Sequence, residues 1–162
     1  LAVTGVQTCA LPIFYDFCVI DTAPTWDNIV INGLRAADLI IYPTTLKSKF
    51  SVKTSVTFKS FVEEEYPEAL DKYAILYNRY LDGIEGQEYV SMYEQYHSTF
   101  FESHLKQTAQ IKDAIDYSSP ITDSKQFNVL YPFLRSITGE IFSYLDVPYP
   151  EVLQEATLEE AR

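Results

Sequence analysis

Apolar residues along the chain alternate between short continuous runs and longer stretches with helical spacing. Residues 17–20 form a run of strand-forming side chains, and residues 39–43 and 72–78 form two more. Continuous apolar runs of this length are typical of strands that are buried on both faces. The spacing of apolar residues across 28–37 and 50–62 instead predicts helices between these strands.

The rest of the chain continues this alternation less regularly. We predict a helix over residues 88–98, a weaker strand over 100–108, a short helix over 110–117 and an amphipathic helix over 127–145. Alternating strands and helices with short connections imply an α/β fold, with a mainly parallel sheet between two helical layers. Ligands bind such sheets at the carboxyl ends of the strands, where Asp21, Thr44 and Asn78 are predicted to lie.

The composition fits one acidic globular chain. Its 162 residues suffice for one domain, and 47% hydrophobic residues supply material for a core. A net charge of -11 argues against a general polyanion binder, because nucleic-acid affinity depends largely on Lys and Arg. No apolar run is long enough to cross a bilayer, and Cys9 and Cys18 lack metal-site spacing. We therefore expect a cytoplasmic protein without a membrane partner.

The first residues differ from the rest. Residues 3–13, VTGVQTCALPI, follow no structural period, and they back-translate in one frame to a sequence that resembles a common short-read sequencing adapter. Segments of this kind are excluded from fold reasoning. We expect residues 1–13 to be non-native, residues 14–145 to belong to one domain, and residues 146–162 to be an acidic tail, frayed or disordered. An ordinary amino-terminal strand and loop is the alternative for the first segment.

Four segments together resemble the ParA/MinD family of partition ATPases, which have a deviant Walker A P-loop. They are FCVIDTAP (17–24), WDNIVINGLRAADLIIYPTT (26–45), ILYNRY (75–80) and LKQTAQIKDAIDYSSPITD (105–123). The resemblance covers residues 15–145 and implies a three-layer fold of the P-loop NTPase type. No segment here matches the glycine-rich loop of that family, so we expect a domain truncated at its amino terminus, with an unpaired sheet edge.

The resemblance assigns roles to five residues. Asp21 would contact Mg²⁺ through water, as suits a cation that is held by few carboxylates together with substrate phosphates. Thr22, Ala23 and Pro24 would sense the terminal phosphate of ATP, and Asn78 would lie near adenine, whose edges an amide can pair. The sequence leaves two alternatives open: Asp21 as a helix cap or solvated carboxylate, and Asn78 as a turn residue in a left-handed conformation.

The same resemblance implies a function. Members of this family form homodimers on ATP, hydrolyse it slowly under stimulation by a partition partner such as a centromere-binding protein, and segregate plasmids or chromosomes. Nonspecific DNA binding is a further implication of the resemblance, against which the net charge of -11 argues. Because the glycine-rich loop has no match, we predict that this chain alone does not hydrolyse ATP. A nucleotide-free interaction module and another ATP-dependent enzyme of the superfamily, such as an amidotransferase-like synthetase, are the alternatives.

Three further sets of residues have simpler interpretations. A basic cluster is interpreted as a solvated helix face, and it consists of Lys47, Lys49, Lys53 and Lys59. The two histidines, His97 and His104, are interpreted as surface or packing residues. The tyrosine-rich side of the helix over 88–98 is interpreted as core packing or, alternatively, as a partner-binding face, and it consists of Tyr89, Met92, Tyr93 and Tyr96.

Overall fold

The computed structural model describes residues 16–23, 25, 27–80, 83–106 and 127–150. Its elements are α1 (Asn28–Ala36), β1 (Ile40–Thr45), α2 (Lys49–Glu65), a 3₁₀ helix (Pro67–Lys72), β2 (Tyr73–Tyr80), α3 (Ile84–Glu94), β3 (Leu105–Lys106) and α4 (Phe127–Tyr144). The helices predicted over 28–37, 50–62 and 127–145 and the strands over 39–43 and 72–78 are thus confirmed. Residues 1–13, Pro24, the helix predicted over 110–117 and residues 151–162 lie outside the described residues.

The three strands form one parallel sheet in the order β1, β2, β3. β1 and β2 pair over six residues each, from Ile40 opposite Tyr73 to Thr45 opposite Asn78. Of the strand predicted over 100–108, residues 100–106 are described, and they contribute the two residues of β3 and one isolated bridge between Ile75 and Phe100. An α/β fold with a parallel sheet is therefore confirmed.

The side chains of β2 alternate between two cores because successive residues of a strand point to opposite faces. Tyr73, Ile75 and Tyr77 pack with residues of α1, α2 and α3 on one face. Ala74 and Leu76 pack on the other face, where α4 supplies the covering side chains. All five residues are buried, so the continuous apolar run reflects a strand with helices on both sides.

The start of α1 is fixed by Asp27, which caps the helix. Its Oδ1 accepts the backbone N–H groups of Ile29 at 2.9 Å and Val30 at 3.1 Å, and its Oδ2 accepts the Thr25 hydroxyl at 2.9 Å. Hydrogen bonds to a carboxylate favour its charged form and so lower the pKa of Asp27, and the bond from the backbone N–H of Val30 contributes most. A carboxylate here also complements the helix dipole.

The strand predicted over residues 17–20 is wrong. Residues 16–23 contain neither helix nor strand, and Phe17, Val19 and Ile20 are 46%, 93% and 40% exposed. An apolar run becomes a strand only where another strand offers a hydrogen-bonding edge, and no described strand pairs with this one. Asp21 consequently does not follow a strand. Within the described residues, β1 pairs only with β2.

Most of the tyrosine-rich side of α3 belongs to the core. Tyr93 is fully buried, and its hydroxyl is hydrogen-bonded to Thr44 Oγ1 at 2.5 Å. Tyr89 and Met92 are half-buried against the same core, whereas Tyr96 is 48% exposed. The predicted packing role is confirmed for Tyr93, and only Tyr96 of this set remains open to a partner.

The last helix is attached to the segment before β3 by polar contacts. The carboxylate of Glu140 accepts the backbone N–H groups of Glu102 and Ser103, each at 2.7 Å. The hydroxyl of Tyr144 donates to the carbonyl of Phe100 at 3.0 Å. These bonds hold α4 on the face of the sheet opposite to the other three helices.

Candidate functional site

The carboxyl ends of β1 and β2 lie side by side, and Asn78 lies at this edge opposite Thr45. Asn78 is half-buried, and its side-chain amide has no hydrogen-bond partner among the described residues. Thr44 is buried and bonded to Tyr93 beneath the helices, so it belongs to the core. Of the two residues predicted at the ends of β1 and β2, Asn78 is therefore the one with a polar side chain that can bind a ligand.

The strand bulges directly after Asn78. Asn78 pairs with Leu105 and Tyr80 pairs with Lys106, which leaves Arg79 as an extra residue without a partner in β3. Arg79 has a φ of 54°, a left-handed conformation that is uncommon outside glycine. The interpretation that Asn78 itself adopts this conformation is therefore wrong. Bulges of this kind re-aim side chains and are frequent beside functional sites.

A group of hydroxyls follows the end of β1. Thr45 Oγ1 lies 3.4 Å from Ser51 Oγ, which lies 3.2 Å from Ser48 Oγ. Ser48 caps α2 by accepting the backbone N–H of Ser51 at 3.3 Å. These hydrogen bonds stabilise the turn between β1 and α2. They also place polar hydroxyls at the edge of the sheet beside Asn78.

Asp21 lies in the irregular segment that passes α1. The γ2 carbons of Ile20 and Thr22 lie 3.5 Å and 3.6 Å from the position that a Cβ on Gly33 would take, so the segment packs directly on the helix. Asp21, Thr22 and Ala23 are exposed. Within the described residues the carboxylate of Asp21 makes no hydrogen bond or ion pair, and none joins it to Asn78.

A buried polar network is the feature that sequence reasoning missed. His97 Nε2 lies 3.0 Å from Ser55 Oγ, and its Nδ1 lies 3.5 Å from the hydroxyl of Tyr73. Ser55 donates its own proton to the carbonyl of Val52 at 2.7 Å, so we assign the histidine proton to Nε2 and the acceptor role to Nδ1. Ser55 is fully buried, which excludes a substrate from its hydroxyl and makes the network structural.

The packing roles predicted for the histidines are confirmed. His97 is 5% exposed, and the ring of His104 packs on Tyr80 with 3.9 Å between ring centroids. Burial, with the Lys59 charge as a second cause, lowers the pKa of His97 from its ordinary 6.5 to about 4. Ser55 and Tyr73 are 42 and 24 residues from His97 in sequence, so no local pattern signals the network.

Acid is expected to destabilise the fold through His97. Its pKa is lower in the folded chain than in the unfolded chain, so stability is full above about pH 6.5 and falls towards pH 4, by at most about 1.4 kcal/mol per pH unit. Urea unfolding of the wild type and of His97→Gln between pH 7 and pH 4.5 measures this. Glutamine keeps a donor for Ser55 but does not titrate, so the wild type should lose more stability than the variant. Parallel pH profiles would show that the histidine is not responsible.

No protein-family model, curated protein or solved structure matches the chain. The fold and the geometry of the edge are therefore the basis for any functional inference.

Asp21 is the one predicted metal ligand of this chain, and its carboxylate alone would leave most positions around a cation to water or to a bound substrate. A hard cation such as Mg²⁺ needs only one or two protein carboxylates, and Asp21 offers one that is exposed and unengaged in the described part of the chain. No group of three or more His, Cys, Asp or Glu side chains that could form a complete protein cage lies within the described ranges. None of the described helices is long and apolar enough to cross a membrane.

Proposed function

We propose that this chain is the carboxyl-terminal part of a ParA-like ATPase of the P-loop NTPase type, which hydrolyses ATP slowly to drive plasmid or chromosome partitioning. The observation that carries the proposal is the unengaged carboxylate of Asp21. Asp27 fills the helix-capping role that was one of the two alternatives for Asp21, the other being a solvated carboxylate without a function. Among the described residues, Asp21 is thus left exposed to solvent and without a structural role.

The position of Asn78 supports the same proposal. Its amide lies at the carboxyl end of the central strand, the edge at which parallel sheets bind their ligands. The bulge at Arg79 redirects the chain at this point. An amide that offers both a donor and an acceptor suits the edge of an adenine ring.

In the proposed site each residue has a distinct task. Asp21 would hold Mg²⁺ through a water molecule, and the ion would neutralise charge on the phosphates of ATP. Thr22, Ala23 and Pro24 would sense the terminal phosphate, and Asn78 would orient the base. Phosphoryl transfer to water rests on positioning and charge neutralisation, so these residues need to bind and orient rather than to form a covalent intermediate.

The proposed partners are a second copy of the protein on ATP and a centromere-binding or other partition protein, all in the cytoplasm. Nonspecific DNA is a weaker candidate. Lys59 donates to the carbonyl of Tyr96 at 2.7 Å and pairs with Glu63 at 3.2 Å, which removes it from the basic cluster. Lys49 and Lys53 are exposed on α2, but the whole chain carries a net charge of -11.

We predict that the chain as given does not turn over ATP, whereas the same chain preceded by its native upstream segment does so in the presence of Mg²⁺. The reason is that no segment here matches a glycine-rich loop, and phosphates without such a cradle are not positioned. Release of inorganic phosphate from ATP by the two proteins measures this. If the given chain hydrolysed ATP and Asp21→Ala abolished that activity, the proposal that the site is divided between this chain and an upstream segment would be wrong. If the extended protein did not hydrolyse ATP, the proposed ATPase function would be wrong.

Partner stimulation separates this proposal from another ATP-dependent enzyme of the superfamily. A partition ATPase is expected to hydrolyse ATP faster with its partner protein and DNA, and without a second substrate. A synthetase would release phosphate only when its acid and amine substrates are present. The nucleotide-free interaction module loses support because the tyrosine-rich side of α3 is largely buried.

A further inference from the structure

The exposed side of α2 separates its charges by sign. Lys49 and Lys53 lie near the amino-terminal end of the helix, Glu64 lies at the carboxyl-terminal end, and all three side chains are exposed. With 3.6 residues per turn, the three positions fall on one stripe along the helix, and the exposed residues Thr57 and Ser60 lie between them. This α2 stripe is therefore basic at one end, polar in the middle and acidic at the other end.

This order of charges is unfavourable within a single helix. The helix dipole favours acidic side chains at the amino-terminal end and basic side chains at the carboxyl-terminal end. The first turn of α2 has no acidic residue, and its last turn has no basic residue. Among the described residues, Lys49, Lys53 and Glu64 form no ion pair, whereas Lys59 pairs with Glu63 at 3.2 Å. The described fold of one copy thus leaves the charges of the α2 stripe unpaired.

An aromatic side chain lies beside the basic end of the stripe. Phe50 is 76% exposed, whereas the apolar residues on the core side of α2, such as Val52 and Phe58, are buried. Phe50 and Lys53 are three residues apart and are therefore neighbours on the helix surface. An exposed ring of this size adds apolar area to a contact that surface charges alone would make weak.

We propose that two copies of this chain associate through the α2 stripe, with the two helices antiparallel. The two-fold axis passes near Thr57, so Glu64 of each copy lies between Lys49 and Lys53 of the other. Helices that cross at about 20° stay in contact along their length, which is about 25 Å for the 17 residues of α2. Each helix also sets its positive end beside the negative end of the other. The occupant is a second copy because the stripe is its own electrostatic complement.

The dimer is expected to be weak. Only one helix of each copy takes part, so the interface is smaller than the roughly 1,600 Å² of a standard stable complex. The net charge of -11 on each copy also opposes association. The mass measured by light scattering without nucleotide should rise with protein concentration from 18.6 kDa towards about twice that value. Because no residue proposed to bind ATP or Mg²⁺ takes part, this result is independent of the proposed function.

Charge reversal tests the contact. Lys49→Glu/Lys53→Glu makes the stripe wholly acidic and Glu64→Lys makes it wholly basic, so each protein alone should associate about tenfold more weakly than the wild type, or less. A mixture of the two proteins should restore the dimer, because each contact then joins opposite charges. Glu64→Lys should also raise the urea concentration at which the chain unfolds, since a base in the last turn of α2 suits the helix dipole. This gain in stability separates lost association from misfolding.

Glu88→Lys is the matched control for Glu64→Lys. It makes the same change of net charge at an exposed position of α3, and every protein in the test keeps a net negative charge. Glu88→Lys should associate at least as strongly as the wild type, and mixing it with Lys49→Glu/Lys53→Glu should give no more dimer than the two proteins give apart.

Three results would overturn the proposal. One is a wild-type chain that stays monomeric at every concentration, which would leave the α2 stripe to a different partner. Another is assembly beyond a dimer, because a two-fold contact closes. The third is a mixture of Lys49→Glu/Lys53→Glu with Glu64→Lys that restores no more dimer than the mixture with Glu88→Lys.

Discussion

Replacing Ile75 with alanine is expected to lower the free energy of unfolding by about 2–5 kcal/mol. Ile75 is fully buried in the central strand, where its backbone N–H donates to Thr99 and its carbonyl accepts from Phe101. The backbone pairing on both sides holds the strand in place, so the site cannot collapse to fill the cavity that alanine would leave. Equilibrium urea unfolding followed by circular dichroism gives the change.

Ile84→Ala is the control for this substitution. It removes the same atoms from a side chain that is 89% exposed at the start of α3, and it should change stability by less than about 0.5 kcal/mol. If Ile75→Ala and Ile84→Ala were equally mild, the described sheet with its central buried strand would be contradicted.

Asp21→Asn is expected to reduce Mg²⁺-dependent ATP turnover by about 10²–10³-fold in the protein that carries its native upstream segment, the order found when one electrostatic contact to the reacting groups is removed. Asparagine keeps the size of the side chain but has no charge to hold a hydrated cation. Because Asp21 is exposed and unengaged in the described part of the chain, the substitution should not change the free energy of unfolding.

Asp27→Asn is the matched control for Asp21→Asn. It removes a carboxylate six residues further on, and asparagine caps helices about as well as aspartate. This variant should therefore keep both its fold and its ATP turnover. If the two variants lost turnover equally, the special role of Asp21 would be contradicted, and a general effect of negative charge near α1 would explain the loss.

Local patterns predict most of this fold. The helices α1 and α2 follow from apolar spacing, and Asp27 and Ser48 are capping residue types that stand directly before them. The strands β1 and β2 follow from continuous apolar runs, because each is covered by helices on both faces. In each case the signal and the structure lie in the same few residues.

The failures occur where a partner distant in sequence decides the outcome. The run over 17–20 has the composition of a strand, but strand formation requires an edge, and no described strand supplies one. His97 is a buried residue because Ser55 and Tyr73 satisfy both of its ring nitrogens. The bulge at Arg79 depends on how β3 pairs with β2. Sequence therefore predicts the place of Asn78 at the carboxyl end of the central strand, but not the bulge beside it or the irregular segment that carries Asp21.

The central proposal is that Asp21 is one half of a divided phosphate site. On our expectation that residues 1–13 are non-native, the native reading frame upstream of the codon for Phe14 tests it most directly. We predict that it encodes a strand, then a glycine-rich loop with an extra lysine near its start, then a helix. A plain Walker A loop would assign the chain to another ATPase of the superfamily. A frame without any glycine-rich loop would contradict the claim.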